Sequence, residues 1–592
     1  MSGIVGIVDY RHPPQQEHVR MLSAQVADRG RDAKYFFAMQ SACFGYRKKQ
    51  YHANQESIAR IGNWVLMIDS HDQVDQQIIE LWKNYGIECL SRIKGSFAFS
   101  AWNTNTEQLY LVRSAEGSRP LYWTQRNQKT AFCSTLSPLL SLPWVETKLA
   151  SEHLAEQLSF RYVHAPRTLI DGVFAVPAGH CVEIKEGSLH LRKWYRQYWS
   201  GIDAPSPSRE EISSKLGSLI QQSIAQHMNT NRPVGILLSG GVDSSLLLYY
   251  ACTLGRPPDT FTVRMEGVPS ETSFAGRIAK LMGSKNHEIV ISKNEFILAF
   301  DEASKAMGQP IPTAAGVIQY LLFTKLRGMV LLSGEGGDEL FGGRSLPFLA
   351  SRITRAKVVH KLPYGMQKLS RKLARRIGRS DLAARYEEYG LDRSIGSSQV
   401  FLAPQRVDIL YDTGLVRPGI RKNVLTPFYQ ELDSDPVNEI LHVLQRGWLT
   451  EDALARSDRM SHRCDVDIRH PLLSDEIIEY SSMLPGSSKI HRRGLEYIGK
   501  WPIRILLEEK IPKDLVHRPK RTMLDPLDQW LITEGKTFLD RQIEGICNDL
   551  PHIFVRNTVR RLHDEQKRGK ANHGNKLWML MHFYRWWKQT FL

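Results

Sequence analysis

Residues 234–250 read V-G-I-L-L-S-G-G-V-D-S-S-L-L-L-Y-Y, and both the residue types and their spacing point to chemistry. Five apolar or small residues predict a buried strand, 239–245 a tight polar turn, and the apolar run from Leu246 the start of a helix. Gly240 and Gly241 let the backbone approach a ligand, because no Cβ intervenes and unusual φ values cost little. Phosphate suits such a loop, since unpaired amides and the positive end of the helix dipole act together. Asp243 would repel bare phosphate. With Mg2+ between them it becomes a ligand, because Mg2+ prefers carboxylate and phosphate oxygens. An ordinary glycine turn is the plain alternative.

Residues 333–343, S-G-E-G-G-D-E-L-F-G-G, form a second glycine-rich loop directly after the apolar stretch 329–332. Their acidity excludes a bare phosphate cradle. Asp338 could complete the Mg2+ site with Asp243, and Glu335 could accept a proton from an attacking amine. The plain alternative is an acidic loop on a solvated surface.

These loops need a scaffold, and the surrounding periodicity describes one. Helices are expected at 209–227, 271–282, 293–306 and 314–326, and strands at 260–265, 288–292 and 329–332. Alternating helices and buried strands predict an open, doubly wound parallel sheet. Ligands bind past the carboxyl ends of such strands, where Ser239 and Ser333 fall. Residues 1–200 have a different texture, with short apolar alternations at 4–8, 64–68, 96–102, 109–112 and 181–184 and helical stretches at 16–26 and 76–85. They predict a β-rich domain with flanking helices. The Gly, Pro and Ser of 198–210 mark a linker, placed at 201–210, and 211–592 form the second domain.

At 592 residues the chain is too long for one core. No apolar run reaches the ~18 residues of a membrane helix, and the N-terminus lacks the basic residues of a signal peptide, so a cytoplasmic location is expected. The seven cysteines are scattered without a C-x-x-C pair and read as free thiols. A formal charge of +16 asks for an anionic partner. Residues 351–380 carry ten Lys or Arg and no Asp or Glu, with Met366, Leu369, Leu373 and Ile377 at helical spacing. This basic amphipathic helix reads as a solvated face or as a dock for an acidic peptide or protein. Nucleic acid is not expected, because aromatic residues are not interleaved in the run beyond Tyr364.

The run S-G-G-V-D-S-S resembles the PP-loop of the ATP pyrophosphatases, which split ATP between its α and β phosphates. The resemblance implies an adenylating enzyme using ATP and Mg2+. Nucleotide contacts would fall at Leu237, Ser239, Gly240, Gly241, Asp243, Ser244, Ser245, Val263, Ser333 and Gly334, with the metal at Asp243 and Asp338. A second resemblance is to the asparagine synthetases. Their glutaminase domain is matched by G-I-V-G-I-V-D at 3–9, R-G-R-D at 29–32, G-S-F-A-F-S-A-W at 95–102 and R-P-L-Y at 119–122. Their synthetase domain is matched by the 333–343 loop, by D-R-M-S at 458–461 and the block after it, and by later K-x-x-L-R and R-x-K elements at Lys500 and 511–521. The implied fold is an α+β N-terminal-nucleophile (Ntn) hydrolase-like sandwich followed by an α/β doubly wound PP-loop domain with a helical C-terminal part. Lys520 falls on the family's active-site lysine, where an ammonium can neutralise charge on the acyl oxygen and departing phosphate. The tryptophans of 577–592 read as helix core.

The departures from the family are specific. Glutamine-hydrolysing members carry Cys at position two, with the cysteine's own α-amine as base; this chain has Ser2 after Met1. Asp69, Ser70 and His71 stand where the family has N-G-E, Lys48 where it has the glutamine-carboxylate arginine, and Arg344 where the acidic loop often ends in Tyr. Residues 1–200 are therefore expected to be a scaffold, with the amine coming from solution or from the substrate. Two branches of the family use a substrate amine, the β-lactam synthetases and the lasso peptide cyclases. The basic segment, length and charge favour a peptide, so the expectation is a macrolactam synthetase acting on a ribosomally made precursor. A leader peptidase and a leader-binding protein would be its pathway partners. An ammonia-dependent asparagine synthetase or a β-lactam synthetase-like enzyme is the alternative, and a non-catalytic nucleotide-binding scaffold the reading of a different class.

Overall fold

The computed structural model describes residues 2–49, 58–70, 72–201, 203–255, 257–268, 271–343, 366, 400–415, 420–429, 435–493, 496–518 and 535–592. Among them, twelve strands build the N-terminal part: β1 (Ser2–Asp9), β2 (Ala33–Ala38), β3 (Ala42–Lys48), β4 (Ile58–Ile61), β5 (Trp64–Ser70), β6 (Phe97–Asn103), β7 (Gln108–Arg113), β8 (Tyr122–Arg126), β9 (Lys129–Cys133), β10 (Val173–Ala175), β11 (His180–Lys185) and β12 (Ser188–Lys193). They form two six-stranded sheets, in the orders β10-β8-β9-β1-β3-β2 and β12-β11-β7-β6-β5-β4. Alternation along the strands sends Ile4, Phe44 and Phe132 of one sheet against Trp102, Leu109 and Val182 of the other. The rings of Phe44 and Phe132 fill the space a Cβ on Gly6 would take. Each outer face is covered by a helix: Gln16–Gln25 lies over β1 and β3, and Asp72–Tyr85 over β5, burying Trp82 against Ile68 and Phe99. The result is the expected sandwich of two sheets between helix layers.

In the second half, β13 (Val234–Leu237), β14 (Asp259–Met265), β15 (Asn286–Ile291), β16 (Val330–Leu332) and β17 (Asp467–Arg469) form one sheet in the order β15-β14-β13-β16-β17, every neighbouring pair parallel. Both faces are covered. Ile236 and Leu332 pack with Leu216, Leu247 and Ile503, while Leu331, Phe261 and Met265 pack with Phe300, Val317 and Leu577. The helices Arg209–Met228 and Lys293–Met307 each open with a capping box, Ser208 with Glu211 and Ser292 with Glu295. From β13 the chain first winds outward to β15, then returns to β16 on the other side, so the topological switch lies between β13 and β16.

Three sequence expectations need correction. The helix after the first glycine-rich loop starts at Val242, not Leu246, so Asp243, Ser244 and Ser245 lie in its first turn. The last third is not wholly helical. Residues 467–469 supply the fifth strand, and His491–Arg493 pairs with Glu496–Ile498 as a short hairpin. A three-residue strand has too short a period to show in sequence and forms only because the edge of β16 offers it partners. The N-terminal part also contains strands that were not foreseen, β3 and β9 among them, which flank β1. Of the basic segment, only Met366 belongs to the described residues, and it is exposed. The helix expected there lies outside them, as do Arg344, His71 and Lys520.

Candidate active site

The first glycine-rich loop leaves β13 at the carboxyl edge of the sheet. Gly240 takes a left-handed conformation (φ 72°), with the backbone of Ala275 where a Cβ would come. The loop is laced by its own serines: Ser239 N–H donates to Ser244 Oγ (3.2 Å), Gly241 N–H to Ser239 Oγ (3.2 Å), and the Ser245 hydroxyl to the Gly241 carbonyl (2.7 Å). Ser244 and Ser245 are buried, so these two expected contacts support the loop from behind, while Ser239 is exposed at its tip. Gly241 takes the N-cap position without a side-chain cap, which leaves the helix's first amides to a ligand. Leu237 and Val263 are half-buried on neighbouring β13 and β14 at the same edge of the sheet.

The second loop leaves the adjacent strand β16. Ser333 N–H bonds the Arg469 carbonyl of β17 (2.9 Å), which fixes the loop's root. Gly334 and Gly337 pack on Asp243, so that Cβ atoms there would meet its side chain. This close approach brings Asp243 and Asp338 to one place. Glu335, half-buried, lies on the same turn. Burial, then Asp338 and Glu335, push the neighbouring Glu339 up to about 8.

A third segment closes the site. Lys500 is 4% exposed, and its ammonium bonds Asp243 and lies 2.8 Å from Asp338 Oδ1. Burial opposes the charge, but the two carboxylates outweigh it and hold the Lys500 pKa above the ordinary lysine value. Lys500 adopts a left-handed φ of 57°, which costs a non-glycine residue roughly 1–2 kcal/mol. Its N–H donates to the carbonyls of Phe341 (3.0 Å) and Gly342 (2.8 Å), and Gly499 presses against Gly342 with no room for a Cβ. Such a conformation persists only where surrounding contacts over-determine it, and these contacts do so at Lys500. Sequence reasoning only aligned Lys500, in K-W-P-I-R at 500–504, with the family's K-x-x-L-R element; its left-handed conformation and paired carboxylates appear in three dimensions alone.

The residues fit a magnesium ion. Asp243 Oδ1 is buried without a hydrogen-bond partner, a second carboxylate stands beside it, and Mg2+ is commonly held by one or two carboxylates together with substrate phosphates. Among the described residues no group of three or more His, Cys, Asp or Glu could hold a metal by itself.

The N-terminal part presents different chemistry. Ser2 Oγ is 2.5 Å from the Tyr46 phenol, and the Ser2 N–H donates to Asp69 Oδ1 (2.9 Å). Arg29 holds the same carboxylate at 2.9 Å and also bonds Asp458, which Arg119 reaches at 3.2 Å. All four charged groups are buried. The 29–32, 119–122 and 458–461 motifs thus meet in one ion cluster at the seam between the two halves. Burial, then Arg29 and Arg119, hold His462 well below the ordinary histidine range, so it stays neutral beside them.

A model of the asparagine synthase family matches residues 215–588, and one of a glutamine amidotransferase domain matches residues 71–199. The chain belongs to the asparagine synthase family. This makes it an ATP-dependent, AMP-forming ligase that makes amides. A putative glutamine-hydrolysing asparagine synthetase of Mycobacterium bovis is 28% identical over 537 residues, covering 86% of this chain and 79% of that protein. Asparagine synthetase (glutamine-hydrolyzing) 1 of Bacillus subtilis is 24% identical over 625 residues, 99% of this chain and 96% of its own. Amidase chry2 of Gibberella zeae is 24% identical over 509 residues, 76% and 73% of the two chains. Among the described residues no helix is long and apolar enough to cross a membrane.

Proposed function

We propose that this ligase adenylates a side-chain carboxylate of a peptide and joins it to that peptide's own N-terminal amine, giving a macrolactam. The meeting of Asp243, Asp338 and Lys500 between two glycine-rich loops at the switch point of the sheet supports the adenylating step, which the asparagine reading given below shares. In the first step a carboxylate oxygen attacks the α-phosphorus of ATP, giving the acyl-adenylate and pyrophosphate. Mg2+, held by Asp243 and Asp338, would screen the phosphate charge and orient the leaving pyrophosphate. The amine then attacks the acyl carbon, AMP leaves, and Glu335 takes the amine's proton. The Lys500 ammonium is placed to offset negative charge at the phosphates.

The N-terminal part supports an amine that does not come from glutamine. Ser2 has a phenol rather than a base at its hydroxyl, and Asp69 and Arg29 are spent on each other and on the seam. The basic composition and the run at 351–380 favour a peptide over a small acid. A leader peptidase and a leader-binding protein would precede this enzyme in the same pathway. The family match and the names of the M. bovis and B. subtilis relatives give better support to a second reading, asparagine made from aspartate and ammonia. Incubation with Mg·ATP separates the two readings. A precursor peptide encoded beside this chain, losing one water with release of AMP, supports the macrolactam; aspartate plus ammonium giving asparagine at a comparable rate supports the second.

A further inference from the structure

Arg518 lies outside both glycine-rich loops and more than two hundred and fifty residues from the first, yet its guanidinium makes three contacts around that loop. One nitrogen donates to the Gly240 carbonyl (2.8 Å), another pairs with Glu271 Oε1 (2.6 Å), and the group lies over the Phe274 ring, 4.5 Å from its centre. The side chain is 9% exposed. Glu271 and Phe274 stand at the start of the helix Thr272–Leu281, whose Ala275 backbone occupies the space a Cβ on Gly240 would take. The segment that carries Arg518 is itself anchored. Arg277 reaches Asp514 (3.2 Å), and Arg504 bonds both the Gly499 carbonyl beside Lys500 (3.0 Å) and the Val516 carbonyl.

The peptide plane gives this arrangement its consequence. In a trans peptide the Gly240 carbonyl and the Gly241 N–H point in opposite directions. Holding the carbonyl therefore fixes the Gly241 amide on the opposite side of the peptide plane, where it donates to the hydroxyl of Ser239 at the exposed tip of the loop. A loop that aims amides at a phosphate must turn carbonyls away, and a carbonyl so turned needs a donor. A planar fork can serve the carbonyl, a carboxylate and a ring face at once, which a lysine ammonium cannot.

We propose that Arg518 is a positioning residue of the nucleotide site, presetting the first glycine-rich loop in its phosphate-binding form and clasping it to the segment that carries Lys500. This rests on the ATP-dependent reading above and adds a residue to it. The test uses the full-length protein and equilibrium binding of Mg2+ with α,β-methylene-ATP, which needs no turnover, alongside the KM for ATP and kcat in ATP–pyrophosphate exchange. Arg518→Met weakens analogue binding and raises the KM by roughly tenfold to a hundredfold, the scale of a hydrogen bond to a charged group, with kcat at saturating ATP within about threefold of wild type. Arg518→Lys recovers part of the affinity. Glu271→Gln, which keeps the Gly240 bond while loosening its support, shows a smaller loss in the same direction and serves if the Met variant does not fold. Wild-type affinity in Arg518→Met overturns the proposal, as does a fall in kcat with KM unchanged. A wild type that binds the analogue but forms no product overturns the ligase reading and leaves Arg518 standing; a wild type that does not bind it overturns both.

Discussion

Lys500 Nζ lies 2.8 Å from Asp338 Oδ1, across a sequence gap filled by the long segment after the second glycine-rich loop, and the same ammonium bonds Asp243. The pairing joins the two glycine-rich loops through a third element. It also explains why a buried lysine can stay charged, since two carboxylates compensate its lost hydration.

Asp243→Asn and Asp338→Asn should each lower ATP–pyrophosphate exchange by roughly a hundredfold or more, because each removes a ligand that would hold Mg2+ against the phosphates. Circular dichroism should show the fold retained. Exchange at the wild-type rate in either variant would remove the metal assignment.

Lys500→Met should lower exchange by about 10²- to 10³-fold, the range for loss of one donor to developing charge. Lys520→Met is the companion. If the adenylate is stabilised at Lys520, single-turnover amide formation slows by a similar factor while ATP binding changes little. A rate within about threefold of wild type would confine Lys520 to a basic surface loop.

Ser2→Ala should leave amide formation unchanged. Ser2→Cys should not release glutamate from glutamine, because position two is buried beside a phenol and a carboxylate, surroundings that raise a thiol's pKa. Glutamate production by that variant, read with a coupled glutamate assay, would show that the pocket still binds and cleaves glutamine.

Asp475 sits at the seam, where its Oδ2 accepts the Gly95 N–H at 2.6 Å, and burial followed by Glu116 pushes it up to about 7. A carboxyl whose pKa is raised by folding binds more protons folded than unfolded between its two pKa values. Stability is therefore lost as pH climbs from about 4 to 7, by at most ~1.4 kcal/mol per unit. Asp475→Asn should gain in Tm over wild type at pH 8 and gain little or nothing at pH 4. An equal shift at both values would deny that the carboxyl titrates there.

Arg29→Ala should destabilise the protein by about 3–5 kcal/mol, since it leaves Asp69 and Asp458 buried with one cation fewer. Arg29→Lys should recover only part, because an ammonium cannot reach both carboxylates in the geometry of a fork. Urea denaturation measures both. A loss under about 1 kcal/mol for Ala would mean that the seam relaxes and admits water.

The sequence by itself determined the two loops and the elements that carry them. A buried strand, a glycine pair and an amphipathic helix each leave a local period, so β13 to β16 and the helices between them are legible within one or two residues, except the helix after the first glycine-rich loop, whose start at Val242 is hidden in the polar turn. Tertiary structure decided what those elements share. β17 exists because β16 offers an edge, and Arg29, Arg119 and Asp458 become one buried cluster because two halves of the chain meet. Lys500 reads as no more than one residue of a family element until its left-handed backbone, fixed by the Phe341 and Gly342 carbonyls, turns the ammonium between two carboxylates from different loops. Local patterns report how a segment folds against its own neighbours. Charge pairing across hundreds of residues depends on the packing that brings them together, and no periodicity encodes it.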